Sequence, residues 1–183
     1  MHRRSFLSLA AGAASAVACG QSSLPSSAAT PKSPLHLVPA GQDRLEEPHN
    51  FGITTIAFKV LTEDTNGELL IIEHANHSKG GPPRHIHPHQ DEWFYVLEGE
   101  FVAEVGTERH TLRAGDSILA PRNLPHTWAF TGNGPGKLLI SFTPAGKMEA
   151  FFRRVSKTNA MVTQDAALFH EFDMELVGPP LAV

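Results

Sequence analysis

The chain has 183 residues, with 15 Lys+Arg, 19 Asp+Glu, 11 His and one Cys, for a formal charge of −4. That length suits one domain with a real core, and a hydrophobic fraction of 41% excludes a disordered chain. The mild negative charge argues against a nucleic-acid partner, and a single cysteine excludes an intramolecular disulfide or a multi-thiolate zinc site. Eleven His beside one Cys point to imidazole and carboxylate as the donors of any bound metal.

Residues 1–18 hold Arg3 and Arg4, an apolar run from Phe6 to Ala18 and no acid, the pattern of a signal peptide. The run is too short to span a membrane, which takes roughly 20 apolar residues. The paired arginines before Ser5-Phe6-Leu7 resemble the bacterial twin-arginine export signal, a route for proteins already folded; an ordinary secretory signal is the plainer alternative. Ala16-Val17-Ala18-Cys19 resembles a lipobox, with Ala16 where Leu is usual, so lipidation at Cys19 and simple signal removal both stay open. The expected location is therefore outside the cytoplasm, periplasmic or lipid-anchored in a bacterial envelope. Residues 19–47 are rich in Ser, Pro and Ala and read as a linker.

From Ile53 the chain becomes a series of short apolar segments. The first covers 53–61 and ends in the turn Asp64-Thr65-Asn66-Gly67, whose Asn-Gly is a hairpin signal. A second segment at 69–74 runs to the break Gly80-Gly81-Pro82-Pro83. Further strands are expected at 92–97, 101–105, 109–112, 117–120, 127–130 and 138–142, separated by Gly-rich turns. Many short strands at even spacing predict an all-β sandwich or barrel over 48–145. Residues 146–183 form the rest, with short amphipathic helices expected at 148–155 and 164–172 before an apolar tail.

Seven of the eleven His fall between residues 74 and 126. His85 and His87 are two apart, so on a strand they share a face. Glu92 opens the next strand with Phe94 on its face, and His126 opens a later one with Trp128 and Phe130 on its face. Were these faces to line one interior, three imidazoles and a carboxylate would meet above an apolar floor of Phe94, Trp128 and Phe130. Such a set suits one divalent transition metal: Mn, Fe, Co, Ni, Cu or Zn. Asp91 is the competing carboxylate. His89 is expected to be exposed or to support the ligands, His74 and His77 to lie on the surface or rim, His110 to face solvent, and Arg84 to be a surface arginine.

The stretch from Gly80 to Gly99 resembles the first motif of the cupin family, with His85, His87, Glu92 and Gly99 at its anchor positions. Gly115, Pro121 and His126 resemble the second, where Asn123 replaces a glycine at a turn expected to need positive φ and Phe130 replaces an Asn. The run from Glu175 to Leu181 is similar to the tail of bacterial single-domain, quercetin-dioxygenase-like members. The resemblance implies a double-sheet jelly-roll β-barrel with short C-terminal helices and a metal held by His85, His87, Glu92 and His126. It also implies a dioxygenase acting on an enol or phenolic small molecule with O₂, with Glu92 as the proton acceptor. A metal- or ligand-binding cupin without turnover is the alternative, and a metal-free isomerase or epimerase a third. A dioxygenase should show an apolar pocket wide enough for an aromatic ring; a pure binder should show a narrow or flooded mouth. Exposed sheet edges leave a homodimer open.

Overall fold

A computed structural model describes residues 36–47, 49–162 and 164–183. The expected signal peptide, Cys19 and the first part of the linker lie outside the described residues. Ten strands run from residue 49 to residue 143: β1 (His49–Phe51), β2 (Thr54–Val60), β3 (Leu70–Asn76), β4 (Pro83–Ile86), β5 (Asp91–Glu98), β6 (Glu100–Val105), β7 (Glu108–Arg113), β8 (Ser117–Ala120), β9 (His126–Phe130) and β10 (Gly136–Thr143). Two helices follow, α1 (Met148–Ser156) and α2 (Ala166–Glu171), and then an eleventh strand, β11 (Glu175–Pro180). The class is all-β, as expected.

The strands form two antiparallel sheets, one in the order β1-β2-β3-β10-β5-β8 and the other β11-β4-β9-β6-β7. Period-two burial sets which side chains lie between them. Leu70, Ile72, His74 and Asn76 point inward from β3, Glu92, Phe94 and Val96 from β5, and Leu138, Ile140 and Phe142 from β10. Contacts cross between the sheets: the His74 and Trp128 rings meet edge to face at 5.3 Å, and Phe94 meets His126 at 6.2 Å.

Two local features differ from expectation. The segment after β2 is a 3-10 helix, Thr62–Thr65, and not a two-residue hairpin turn. Asn66 (φ 55°) ends it, and the Gly67 N–H returns to the Thr62 carbonyl at 2.9 Å, so β2 and β3 still pair but through a longer link. The apolar tail is β11, a sheet edge that lays Leu176 against His85 and Glu175 against Ile86. Its Pro179 and Pro180 fit an edge, where a strand can lack donors. The end of the stretch read as linker is also fixed: the Arg44 N–H donates to the Phe58 carbonyl at 2.8 Å, and Lys59 Nζ donates to the Gln42 carbonyl at 2.7 Å.

Helix α1 buries Met148, Phe151, Phe152 and Val155, spaced to make one face. Phe152 reaches Phe51, His74 and Phe142, so this face closes one end of the space between the sheets. Glu149 ties the helix to the 3-10 turn by accepting from the Thr62 N–H at 2.8 Å. Asp165 caps α2 by accepting from the Leu168 N–H at 3.0 Å.

The break at residues 80–83 carries the chain alongside β9. Gly80 exchanges backbone hydrogen bonds with Phe130, and the Thr127 hydroxyl donates to the Pro82 carbonyl at 2.7 Å. A methyl group on Gly81 would run into the Trp128 carbonyl. Gly81→Ala is therefore expected to push β4 off β9 and cost about 1–3 kcal/mol, the range for overpacking, read as a lower urea midpoint.

Candidate metal centre

The residues singled out by spacing converge from three chain segments. His85 is on β4, His87 is just beyond its end, Glu92 is near the start of β5 and His126 starts β9. His85 and His126 are directly opposite in the β4–β9 pair. His87 is held by its backbone, whose carbonyl accepts from the Asn123 N–H at 2.9 Å. Asn123 has φ 66°, the left-handed turn expected at the position where the family motif has glycine.

All four side chains are buried, and one potential ligand atom from each lies within 4.8 Å of the others. Glu92 Oε2 is 2.8 Å from His126 Nε2, 3.1 Å from His87 Nε2 and 3.9 Å from His85 Nε2. His85 Nδ1–H donates to the Pro83 carbonyl at 2.8 Å, and His126 Nδ1–H to the Leu124 carbonyl at 2.9 Å. A carbonyl only accepts, so these contacts place the ring protons on Nδ1 and turn Nε2 toward the centre.

Electrostatics agree with that arrangement. Burial, with the neighbouring His126 and His87, pushes His85 down to about 3, so its Nε2 lone pair is free at neutral pH. Burial opposes ionisation of Glu92, yet the close approach of the His126 and His87 imidazoles outweighs it and holds the carboxyl below its usual range. Burial would lower His126 too, but the hydrogen bond and charge of Glu92 raise it overall. The centre thus combines an ionised carboxylate, imidazole nitrogens aimed inward and a demand for positive charge between His126 and Glu92. That donor set fits one divalent transition ion.

Asp91 is not part of this group. Its carboxylate accepts from Arg122 Nε at 3.1 Å, Nη2 at 2.8 Å and the Arg122 backbone N–H at 2.8 Å, on the other face of β5. Those hydrogen bonds draw it down to about 2. His77, His89 and His110 are exposed. Arg84 is not a free surface residue: it pairs with Glu104 at 3.1 Å and donates to the Gly106 carbonyl, bracing the turn beside β9.

Beside the centre is a cavity of about 40 Å³. Its walls are chiefly apolar, with Trp128, Phe142, Phe151, Phe152 and Phe169 among them. At roughly 10–15 Å³ per water position it holds about three waters. The expected apolar pocket is present, but it is smaller than the roughly 150 Å³ of a cavity that takes up benzene. Of the expected pocket residues only Trp128 lines it. Phe94 and Phe130 share a strand face with a ligand but lie deeper: Phe94 packs beside the His126 ring, and Phe130 packs on Phe101 at 5.2 Å. His74, expected on the surface or rim, is 3% exposed and lines the cavity. Period two would have found it, since the charged Glu73 next to it must point outward.

A family model for the cupin domain matches residues 73–142, a span containing all four candidate ligands. Among curated relatives, the protein SchB of Streptomyces halstedii is 32% identical over 60 residues, covering 33% of this chain and 44% of that protein. The polyketide synthase CurC of Streptomyces cyaneus is 27% identical over 60 residues, covering 33% of this chain and 39% of that protein. The chain thus spans less than half the length of these curated relatives. An RmlC-like cupin from Shewanella frigidimarina superposes with a TM-score of 0.52 at 24% identity, over 63% of this chain and 96% of that one, a likeness of fold.

The two adjacent acids should separate cleanly. Glu92→Gln or His87→Ala is expected to weaken metal binding at least about tenfold, while Asp91→Asn leaves bound metal per chain unchanged by elemental analysis. A second expectation concerns acid. Burial pushes His74 from 6.5 down to about 4, with the Glu92 charge opposing weakly. A depressed folded value means stability is complete above pH 6.5 and is lost as pH falls toward 4. Compared with His74→Phe, the parent should lose about 3 kcal/mol across that window at about 1.36 kcal/mol per pH unit, measured by urea unfolding at fixed metal.

Proposed function

We propose, since the chain belongs to the cupin superfamily and gathers three His and one Glu beside an apolar cavity, that it is a mononuclear metal-dependent dioxygenase acting on an enol or phenolic small molecule. The observation that carries this reading is the opening of the centre onto that cavity: His85, His87 and Glu92 line it. A centre closed on all sides would be structural, whereas one with access to a pocket can receive a substrate. The bound metal would supply a site where substrate and O₂ meet and exchange electrons.

The residues divide the remaining work. His85, His87 and His126 hold the ion through Nε2, with the Nδ1 hydrogen bonds of His85 and His126 fixing two of the rings. Glu92 accepts the enol proton, a role for which an ionised carboxylate at the cavity wall is suited. Phe142, Phe151, Phe152 and Phe169 exclude water from the reacting group. Admission of a ring requires the cavity to widen, and its composition allows this. Met148, Met161 and Met174, three of the chain's four methionines, line it, and unbranched thioether side chains repack readily. Export through the amino-terminal residues belongs to the same proposal.

The narrowness of the cavity favours a second reading, a metal- or small-ligand-binding cupin without turnover. The test is metal analysis of protein purified from its native export route, followed by O₂ uptake with a panel of enols and flavonols. About one metal per chain, with O₂ uptake that disappears in Glu92→Gln, is the expected result. Metal without uptake supports the binder, and metal-free protein that stays folded overturns the dioxygenase reading.

A further inference from the structure

His74 is a polar group in the cavity wall for which the centre has no use. It sits on the inner face of β3, opposite Ile56 on β2 and Leu138 on β10. Neither Nδ1 nor Nε2 has a hydrogen-bond partner among the described residues. Trp128 and Phe152 meet its ring edge to face at 5.3 and 6.0 Å, which limits how the ring can turn. Buried polar side chains are ordinarily paired, and an unpaired one is costly to keep.

Most other polar side chains of the cavity wall have a role already assigned. His85, His87 and Glu92 belong to the centre, and the Thr54 hydroxyl donates to the Thr55 carbonyl at 3.3 Å. Register also separates His74 from the centre. On β10, His74 stands opposite Leu138 and Glu92 opposite Phe142, four positions apart. Between those levels Ile140 makes the wall apolar.

We propose that His74 anchors a hydroxyl group of the bound small molecule, on the side of its apolar body away from the metal-binding oxygen. Burial keeps the imidazole neutral, so it offers one N–H donor and one lone-pair acceptor. A hydroxyl matches that pair because it too donates and accepts. A carboxylate would meet no positive charge there and would leave the acceptor nitrogen facing an anion. The class of ligand is therefore an uncharged, ring-sized enol or phenol with a second hydroxyl across the ring. This rests on the reading of the centre as one that binds an enol.

Kojic acid and allomaltol test it, being one-ring chelating enols that differ by a single hydroxyl across the ring from the chelating oxygens. The full chain is loaded with Co²⁺, whose visible spectrum reports binding at the metal, and each enol is titrated without oxygen. The parent should bind kojic acid about tenfold tighter than allomaltol, as a site built to pair a hydroxyl discriminates against its absence. His74→Phe should abolish the preference while holding allomaltol within about threefold, and His74→Gln, with a donor and an acceptor, should restore part of it. Equal affinities in the parent would overturn this proposal and leave the enol reading standing, and this outcome needs no variant to fold. A preference that survives in His74→Phe also overturns it. If neither enol alters the Co²⁺ spectrum, the enol reading itself fails and this proposal with it.

Discussion

The structure depends on one carboxylate in a dry interior. Glu92 is 3% exposed, and an ion removed from water needs positive or hydrogen-bonding partners close by. Its partners arrive on other segments, His126 at 2.8 Å from β9 and His87 at 3.1 Å from the end of β4. The charge balance of one residue is therefore tied to the pairing of β4 with β9 and to the packing of the two sheets. A one-residue slip of β4 would turn His85 to the opposite face. Two contacts to β9 guard against it: the Thr127 hydroxyl on the Pro82 carbonyl and the close passage of Gly81 beside Trp128.

The apolar surroundings act in two directions. Phe142 and Phe169 each lie 5.6 Å from a candidate-ligand ring, His87 and His85 respectively. By excluding water they strengthen every interaction at the centre, and by the same physics they penalise any charge without a partner. His74 shows the second effect: it shares the interior with Glu92 but remains neutral because burial outweighs the attraction of that carboxylate. The cavity therefore presents its ionised donors at the centre and a neutral hydrogen-bonding group farther along β3.

Much of this was legible in the residues. The pairwise spacing of His85 and His87, with Glu92 and His126 at strand starts, was enough to anticipate their convergence, because period two assigns a face without knowledge of the fold. The same rule does not assign depth. Phe94 and Phe130 share faces with ligands yet lie below the cavity, since position along the strand, and not face alone, decides what lines it. His74 was misplaced for a different reason: an imidazole was read as polar, although the outward Glu73 already fixed its face inward. The strand β11 was hidden by Gly178, Pro179 and Pro180, residues that argue against a strand unless it is an edge, and an edge is recognisable only once its neighbour is known.

The cavity has two kinds of wall, and the difference bears on specificity. One wall belongs to the sheets: the donors, Trp128, Ile140 and Phe142 are held by strand pairing on both sides or by a short loop. The other belongs to the last third of the chain, where Met148, Phe151, Phe152, Met161, Val162, Phe169 and Met174 close the space. The cupin match over residues 73–142 includes all four candidate ligands and His74 but none of this second wall. Donor geometry and cavity size are thus set by separate parts of the sequence. A change in α1 can resize the cavity without replacing a donor, because that helix contributes none, whereas Phe169 of α2 lines the cavity and also packs 5.6 Å from the His85 ring. That separation is the physical reason a shared fold leaves the ligand undetermined: the centre decides what can bind to a metal, and the helical wall decides what body may be attached to it.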